Sequence, residues 1–235
     1  MKSLFNVTNK HLKTFLIVLF FGAVWGLAEA VIGTFVHLDL GAVNSSSAVM
    51  LPIAFYLMGL CYTKTKSLTS VLYIGLIAAA IKFSLVFVVG WIDKIYTPPI
   101  YIVAEALAAM GAIAVLRPTR VLSAKSFLTV AIAGTAYMVF LIVFKQIQGI
   151  INNKPFIYDL ESWKAEGEEY LLTKNAAMLI TTGVIGGISY GIMKLAEKMN
   201  WKFNKDTVEK VLYNPITASV AVVVAVASTI LFKLL

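Results

Sequence analysis

Three ionisable side chains lie inside long apolar runs of this chain, where charges are rare. They are Glu29 in the first run, Lys82 in the third and Glu105 in the fourth. A charge at membrane depth costs roughly 2.5–3.5 kcal/mol on insertion scales, so such a charge usually serves a function. Two acids and one base in neighbouring helices predict a polar network inside a bundle.

This set of charges has three interpretations. In a solute site, Lys82 would pair with a carboxylate or phosphate of the ligand, and Glu29 and Glu105 would accept its amines or hydroxyls. In an ion- or proton-coupled carrier or channel, one glutamate would titrate during transport. In a structural or assembly subunit, the charges would only hold three helices together.

Other polar and aromatic residues could belong to the same site. Trp25 lies inside the first run, one helical turn before Glu29, and the segment 37–47 is rich in Gly, Ser and Asn and could act as a lid. Tyr137 could face the site, or its side chain could only extend toward the membrane surface or cap a helix. The candidate solute-binding residues are Glu29, Lys82, Glu105, Trp25, Asn44, His37 and Tyr137.

The composition predicts an all-α, polytopic integral membrane helical bundle. The chain has 235 residues, of which 60% are hydrophobic and 14% charged, and its mean hydropathy is +0.85. Soluble domains are nearer ~45–50% apolar and ~25% charged. Almost every residue lies in an apolar run or a short connection, so we expect a single transmembrane domain over residues 1–235.

The sequence lacks the residues that several classes of protein need for their function. The net charge of +8 comes from lysines and arginines in short loops, which is typical of membrane topology rather than of nucleic-acid binding. One cysteine, Cys61, and two distant histidines make no metal cluster or intrachain disulfide. No phosphate loop, dinucleotide motif or nucleophile elbow is present, so we expect no cofactor and no enzyme activity.

The hydropathy pattern predicts seven transmembrane helices, with six as the alternative. Pro98-Pro99 should break the chain before the fourth helix, and 148–174 should be a polar connection that either lies on the membrane or caps the site. The predicted spans are 14–36, 48–62, 69–91, 100–116, 126–147, 175–196 and 215–235.

The distribution of Lys and Arg predicts the orientation. With seven spans, thirteen of the twenty fall on the side of the N-terminus, six on the other side, and Lys82 lies within the membrane. The side with more Lys and Arg is normally cytoplasmic. We therefore expect a cytoplasmic N-terminus in a multi-pass protein of the cytoplasmic membrane.

This topology places the three charges at one depth. At 1.5 Å per residue, Glu29 lies about 12 Å, Lys82 about 13 Å and Glu105 about 9 Å from the outer ends of their helices. Helices that run in opposite directions thus bring their charges to the outer half of the membrane. The sequence predicts one outward-facing polar site.

Two features of the first helix allow more than one interpretation. Gly22, Gly26 and Ala30 recur at a spacing of four, which permits close approach either of a helix of the same chain or of a partner subunit. Ala28-Glu29-Ala30 also resembles a signal-peptidase site, although the apolar run continues to Val36 and favours a full span.

The layout resembles the substrate-binding S components of energy-coupling-factor vitamin transporters. The likeness consists of a small, basic, all-helical chain, the Gly22-Gly26-Ala30 spacing, the loop 37–47 and polar groups in the outer half. The resemblance implies binding of a vitamin or other micronutrient from outside. It also implies delivery by toppling against a transmembrane partner subunit that two ATPases drive. The family usually has six spans, whereas seven are predicted here.

The sequence therefore predicts a membrane protein for the uptake of a small solute. Its expected partners are a small-molecule or ion substrate, membrane lipid and a transmembrane partner with ATPases, and no nucleic acid. The ion- or proton-coupled carrier and the structural subunit stay open as alternatives.

Overall fold

The computed structural model describes residues 9–39, 46–90, 93–120, 123–155, 159–199 and 205–234. These residues are almost entirely helical and contain no strand. The helices are α1 (Lys10–Asp39), α2 (Ser46–Thr65), α3 (Leu68–Phe83), α4 (Val86–Val89), α5 (Asp93–Leu116), α6 (Ala124–Ile151), α7 (Leu160–Glu168), α8 (Asn175–Lys198), α9 (Lys205–Leu212) and α10 (Pro215–Leu234). A π-helical segment, Glu169–Lys174, leads into α8.

The all-α polytopic fold is confirmed. Within the described residues, six helical stretches are long and apolar enough to cross a membrane: Lys10–Ile32, Leu68–Val89, Tyr96–Leu116, Ala124–Ile151, Asn175–Ile192 and Pro215–Phe232. A seventh helix, α2, has 20 residues. That length corresponds to about 30 Å, close to the thickness of the hydrocarbon core.

Short polar residues begin several of these helices. Asn9 accepts hydrogen bonds from the backbone N–H groups of residues 11 and 12 at the start of α1. Ser123 accepts from Ser126 N at the start of α6, and Asn214 accepts from Ile216 N just before Pro215 opens α10. Each cap satisfies backbone donors that the first turn leaves unpaired, and proline is well tolerated at the first helical position.

The predicted break at Pro98-Pro99 was wrong. The helix α5 begins at Asp93 and contains both prolines in its second turn. Their missing N–H groups remove only the bonds to the carbonyls of residues 94 and 95, near the helix start, where the loss is small. The segment 37–47 is likewise shorter than predicted, because α1 continues to Asp39 and α2 begins at Ser46.

The membrane-spanning stretch Leu68–Val89 tightens just beyond Lys82. Leu85 N donates to Lys82 O at 3.3 Å and Phe87 N donates to Ser84 O at 3.2 Å, which are bonds of the 3₁₀ type between α3 and α4. Ser84 Oγ also donates to Ile81 O at 2.6 Å. A short 3₁₀ turn within a helix often marks a functional site or hinge.

The bundle is built around α1. This helix packs against α2, α3 and α10, while α5 packs between α3 and α6. The helix α8 touches α2 and α6 but leaves most of its surface facing outward. The central position of α1 places the middle of that helix, which carries Trp25 and Glu29, among the interior residues.

The Gly22-Gly26-Ala30 stripe is used for packing within this chain. A Cβ atom at Gly22 would lie 2.7 Å from Cβ of Ile77, and one at Gly26 would lie 3.0 Å from Cδ1 of Ile81. Ala30 is 2% exposed. The assignment of these residues to partner docking is therefore not supported, because α3 already occupies the glycine face that a partner would need.

The connection predicted over 148–174 is largely helical. The helix α6 extends to Ile151, and α7 and the π-helical segment cover most of the remainder. Asp159 caps α7 by accepting a hydrogen bond from Ser162 N at 2.7 Å. The charged side chains of α7 are mostly exposed, so this part of the chain is polar, as the sequence predicts.

Candidate functional site

Residues of α1, α3, α5 and α6 converge on one polar cluster in the bundle. The cluster consists of Trp25, Glu29, Lys82, Glu105 and Tyr137. Lys82 Nζ donates a hydrogen bond to the backbone oxygen of Glu29 at 3.3 Å, and the ammonium group also interacts electrostatically with the Glu29 carboxylate. The predicted meeting of the first and third spans at these two residues is thus present in the fold.

Glu105 is the most enclosed charge of the cluster. Its side chain is 5% exposed, lies near enough to the Glu29 carboxylate for electrostatic repulsion, and faces the Tyr137 hydroxyl at hydrogen-bonding range. Tyr137 itself is 3% exposed. Among the described residues, Glu105 Oε2 has no hydrogen-bond partner although it is buried. A buried carboxylate oxygen without a partner destabilises the fold. Burial removes the water that would donate a hydrogen bond to it, and no protein donor takes its place.

Trp25 adds a buried donor to the same region. Its side chain is fully buried, and its indole lies beside the Glu29 carboxylate one helical turn along α1. The indole Nε1 is close enough to the Glu29 carboxylate for a weak interaction, but within the described residues it makes no hydrogen bond of ordinary length and angle. The cluster therefore contains one unsatisfied donor and one unsatisfied acceptor, whereas buried polar groups are normally paired.

The depth of the cluster differs from the sequence prediction. Since α5 begins at Asp93, Glu105 lies twelve residues into a 24-residue helix, near its middle rather than close to its outer end. Tyr137 is also near the middle of α6. The polar cluster thus extends from the bilayer centre toward the end of the bundle where α1 finishes.

The cluster combines cationic, anionic and neutral polar groups. It presents one ammonium, two carboxylates, a phenol and an indole N–H on four different helices. No group of three or more His, Cys, Asp or Glu residues that could hold a metal ion occurs among the described residues.

Two candidates from the sequence do not join the described cluster. His37 lies within α1 instead of in a loop, and its side chain falls outside the described residues. Asn44 also lies outside them. The part that the segment 37–47 could play as a lid therefore stays a prediction.

Tyr101 belongs near the site but was not predicted as a site residue. It lies one helical turn before Glu105 on α5 and close enough to Tyr137 for an electrostatic interaction. The spacing of four between Tyr101 and Glu105 could have placed both on one helix face.

A large cavity lies apart from the polar cluster. It has a volume of about 430 Å³, lies between α2, α5, α6 and α8, and reaches the end of the bundle that carries Thr63, Arg120 and Ser123. None of the five cluster residues lines it. The polar cluster and the apolar cavity are thus two separate features.

No protein-family model, curated protein or solved structure matches this chain. The fold and the cluster therefore rest on the chain's own residues. The structure establishes a multi-pass helical membrane protein, and the arrangement of the cluster is the basis for a functional proposal.

Proposed function

We propose that this chain takes up a small polar solute across the cytoplasmic membrane and binds it at the polar cluster. The observation that carries the proposal is the pair of unsatisfied polar atoms, Trp25 Nε1 and Glu105 Oε2, buried within one cluster. Leaving such groups unpaired costs about 1–3 kcal/mol each, so a ligand that pairs with them gains that free energy.

The chemistry of the cluster favours a solute that carries both an acid and an amine or hydroxyl. Lys82 would pair with a carboxylate or phosphate of the solute while its ammonium keeps the hydrogen bond to the Glu29 carbonyl. The Glu105 carboxylate would accept a hydrogen bond from an amine or hydroxyl of the solute. Such charge-assisted hydrogen bonds are stronger than neutral ones and confer selectivity in a dry interior. A vitamin-like or other micronutrient solute fits this pattern.

The source of energy in this proposal is external to the chain. Its sequence has no phosphate-binding motif, so energy would come from a transmembrane partner with ATPases or from an ion gradient. Gly22 and Gly26 do not serve as the docking face of such a partner, because they contact α3. The outward-facing surface of α8 is a more accessible alternative.

A thermal-shift screen of the purified full chain in lipid nanodiscs tests the proposal. The panel consists of small zwitterions, acids, amines and neutral polar solutes. We compare wild type with Glu105→Gln and with the matched control Glu161→Gln, because Glu161 is exposed on α7. At least one solute should raise the melting temperature of wild type and Glu161→Gln by several degrees and leave Glu105→Gln unchanged.

A solute that shifts all three proteins equally would contradict binding at the cluster, and so would a panel with no active solute.

One observation favours a second function. Glu29 and Glu105 repel each other with a single lysine nearby, so a proton or small cation between them would relieve the repulsion. Flux in proteoliposomes that follows a pH or cation gradient without any solute, and that Glu105→Gln abolishes, would favour the ion-coupled carrier.

A further inference from the structure

The apolar cavity has the dimensions and the position of a site for a lipid chain. Its volume of about 430 Å³ lies within the usual range of ligand pockets, which is ~300–1,000 Å³. Apolar side chains from four helices form most of its wall, among them Phe55, Ile113, Val130 and Ile185. A polar solute would lose its hydration there without receiving partners.

The cavity spans one leaflet of a bilayer. Its residues on α6 run from Ala124, at the helix start, to Ala133. Nine residues of helix correspond to about 14 Å, or about half of the ~30 Å hydrocarbon core. Ala133 lies one turn from Tyr137, so the deep end of the cavity stops just before the polar cluster.

The end of the cavity beside the start of α6 carries a positive charge. Arg120 lines the cavity beside Pro118 and Ser123. The Arg120 backbone oxygen accepts hydrogen bonds from the hydroxyls of Ser123 and Ser126, which holds the turn against the start of α6. Arg120 is an exposed residue of the cavity wall, so its guanidinium can reach an anion at this end of the cavity.

The cavity is accessible from the side. Ala124, Phe127 and Tyr190 line it and are exposed, and Gly183 of α8 has open space where a side chain would begin. The surroundings of these helices are lipid, because α6 and α8 are both long and apolar enough to span the membrane. A chain can therefore enter without any rearrangement of the bundle.

We propose that this cavity binds one acyl chain of an anionic membrane phospholipid, with the lipid phosphate at Arg120. The apolar wall takes the chain, the depth matches one leaflet, and the guanidinium supplies bidentate donors for the phosphate. This site is independent of the proposed solute site.

Native mass spectrometry of the full chain, released from nanodiscs of equal phosphatidylglycerol and phosphatidylcholine, tests the proposal. The variant Arg120→Gln removes the phosphate partner, and Arg117→Gln is its control, because Arg117 does not line the cavity. Gly183→Phe fills the cavity, and Gly187→Phe is its control on the same open face of α8. Melting temperatures establish that each variant is folded, and Arg120→Lys replaces Arg120→Gln if the latter fails.

Wild type and both controls should retain one phosphatidylglycerol per chain, in preference to phosphatidylcholine by at least tenfold. Arg120→Gln, or Arg120→Lys to a smaller degree, should lose the preference for the anionic lipid, and Gly183→Phe should lose retention of both lipids. Equal lipid retention by wild type and Gly183→Phe would overturn the proposal. If wild type were a lipid-free dimer and Gly183→Phe made it monomeric, the cavity would bind a second copy of the chain and the proposal would be overturned. A bound free fatty acid would overturn the assignment of the ligand as a phospholipid.

Discussion

Lys82 donates its side-chain hydrogen bond to the backbone oxygen of Glu29, at 3.3 Å, and so joins α3 to α1 inside the bundle. The contact depends on close approach of the two helices, which Gly26 permits against Ile81, the residue before Lys82. The lysine thereby neutralises part of the charge of Glu29. This connection organises the polar cluster.

Replacing Lys82 with methionine should destabilise the protein. The change removes a charged hydrogen-bond donor and leaves the Glu29 carboxylate without its nearest positive charge, which costs about 1.5–3 kcal/mol. Chemical denaturation in mixed micelles measures the free energy of unfolding. Lys64→Met is the control, because Lys64 is exposed and should change stability by less than about 0.5 kcal/mol.

The same pair should show coupling in a double-mutant cycle. We expect Glu29→Gln to reduce the cost of Lys82→Met by about 0.5–2 kcal/mol, since the methionine then faces a neutral amide. Additive free energies in the two single variants and the double variant would mean that the two charges do not interact.

An alanine at Gly22 should be more harmful than an alanine at an open glycine. A Cβ atom at Gly22 would lie 2.7 Å from Cβ of Ile77, so α1 and α3 must separate, at a cost of about 1–3 kcal/mol. Gly187→Ala on α8 meets no atom within 4 Å and should be neutral or slightly stabilising. Similar melting temperatures for both variants would contradict the close packing of α1 on α3.

Removing the Tyr137 hydroxyl should leave Glu105 with fewer partners. Tyr137→Phe keeps the ring volume and removes the group that faces the Glu105 carboxylate, at an expected cost of about 1–3 kcal/mol. Tyr73→Phe is the control, because the Tyr73 ring is 54% exposed on α3. The double variant Tyr137→Phe with Glu105→Gln should recover part of the loss, and an unchanged loss would indicate that the phenol acts elsewhere.

The amino end of α7 should loosen as the pH falls. The backbone N–H of Ser162 donates to the Asp159 carboxylate and holds the pKa of Asp159 below its usual value near 3.8. Because the folded pKa lies below the unfolded one, the stabilisation is complete above the unfolded pKa and is lost as pH falls through the folded value. Amide exchange at Ser162 should therefore accelerate below about pH 4, after correction for the intrinsic rate.

Asp159→Asn provides the matched control for this pH effect. Asparagine keeps a capping oxygen but has no charge to titrate, so its corrected exchange at Ser162 should be nearly independent of pH over the same range. If aspartate and asparagine gave the same pH profile, the cap would not depend on ionisation of Asp159.

The apolar runs and the common level of Glu29 and Lys82 were predictable from the sequence, whereas the depth of Glu105 and the helix rotations were not. Hydropathy located every spanning helix, and the spacing along each helix brought Glu29 and Lys82 to one level. A helix that is apolar on all sides gives little sign of which face is interior. For that reason the sequence could name Trp25 only as a candidate site residue. It gave no sign that Tyr101 lies close to Tyr137.

Other features depend on contacts between distant parts of the chain. The start of α5 at Asp93 could not be predicted because prolines in a second turn are tolerated when few bonds are lost. The cavity exists because α8 packs on α2 and α6 and the glycines of α8 leave space there. No local sequence pattern specifies this packing. The choice between docking and internal packing of Gly22 also required the position of α3.

The central claim is that a solute binds at Glu105 and Trp25. Its most direct test is native mass spectrometry of the purified chain with the solute that the thermal-shift screen selects, in wild type, Glu105→Gln and Glu161→Gln. Our proposal predicts one solute bound per chain in wild type and Glu161→Gln, with at least tenfold weaker binding in Glu105→Gln. Equal solute occupancy in all three proteins would contradict it.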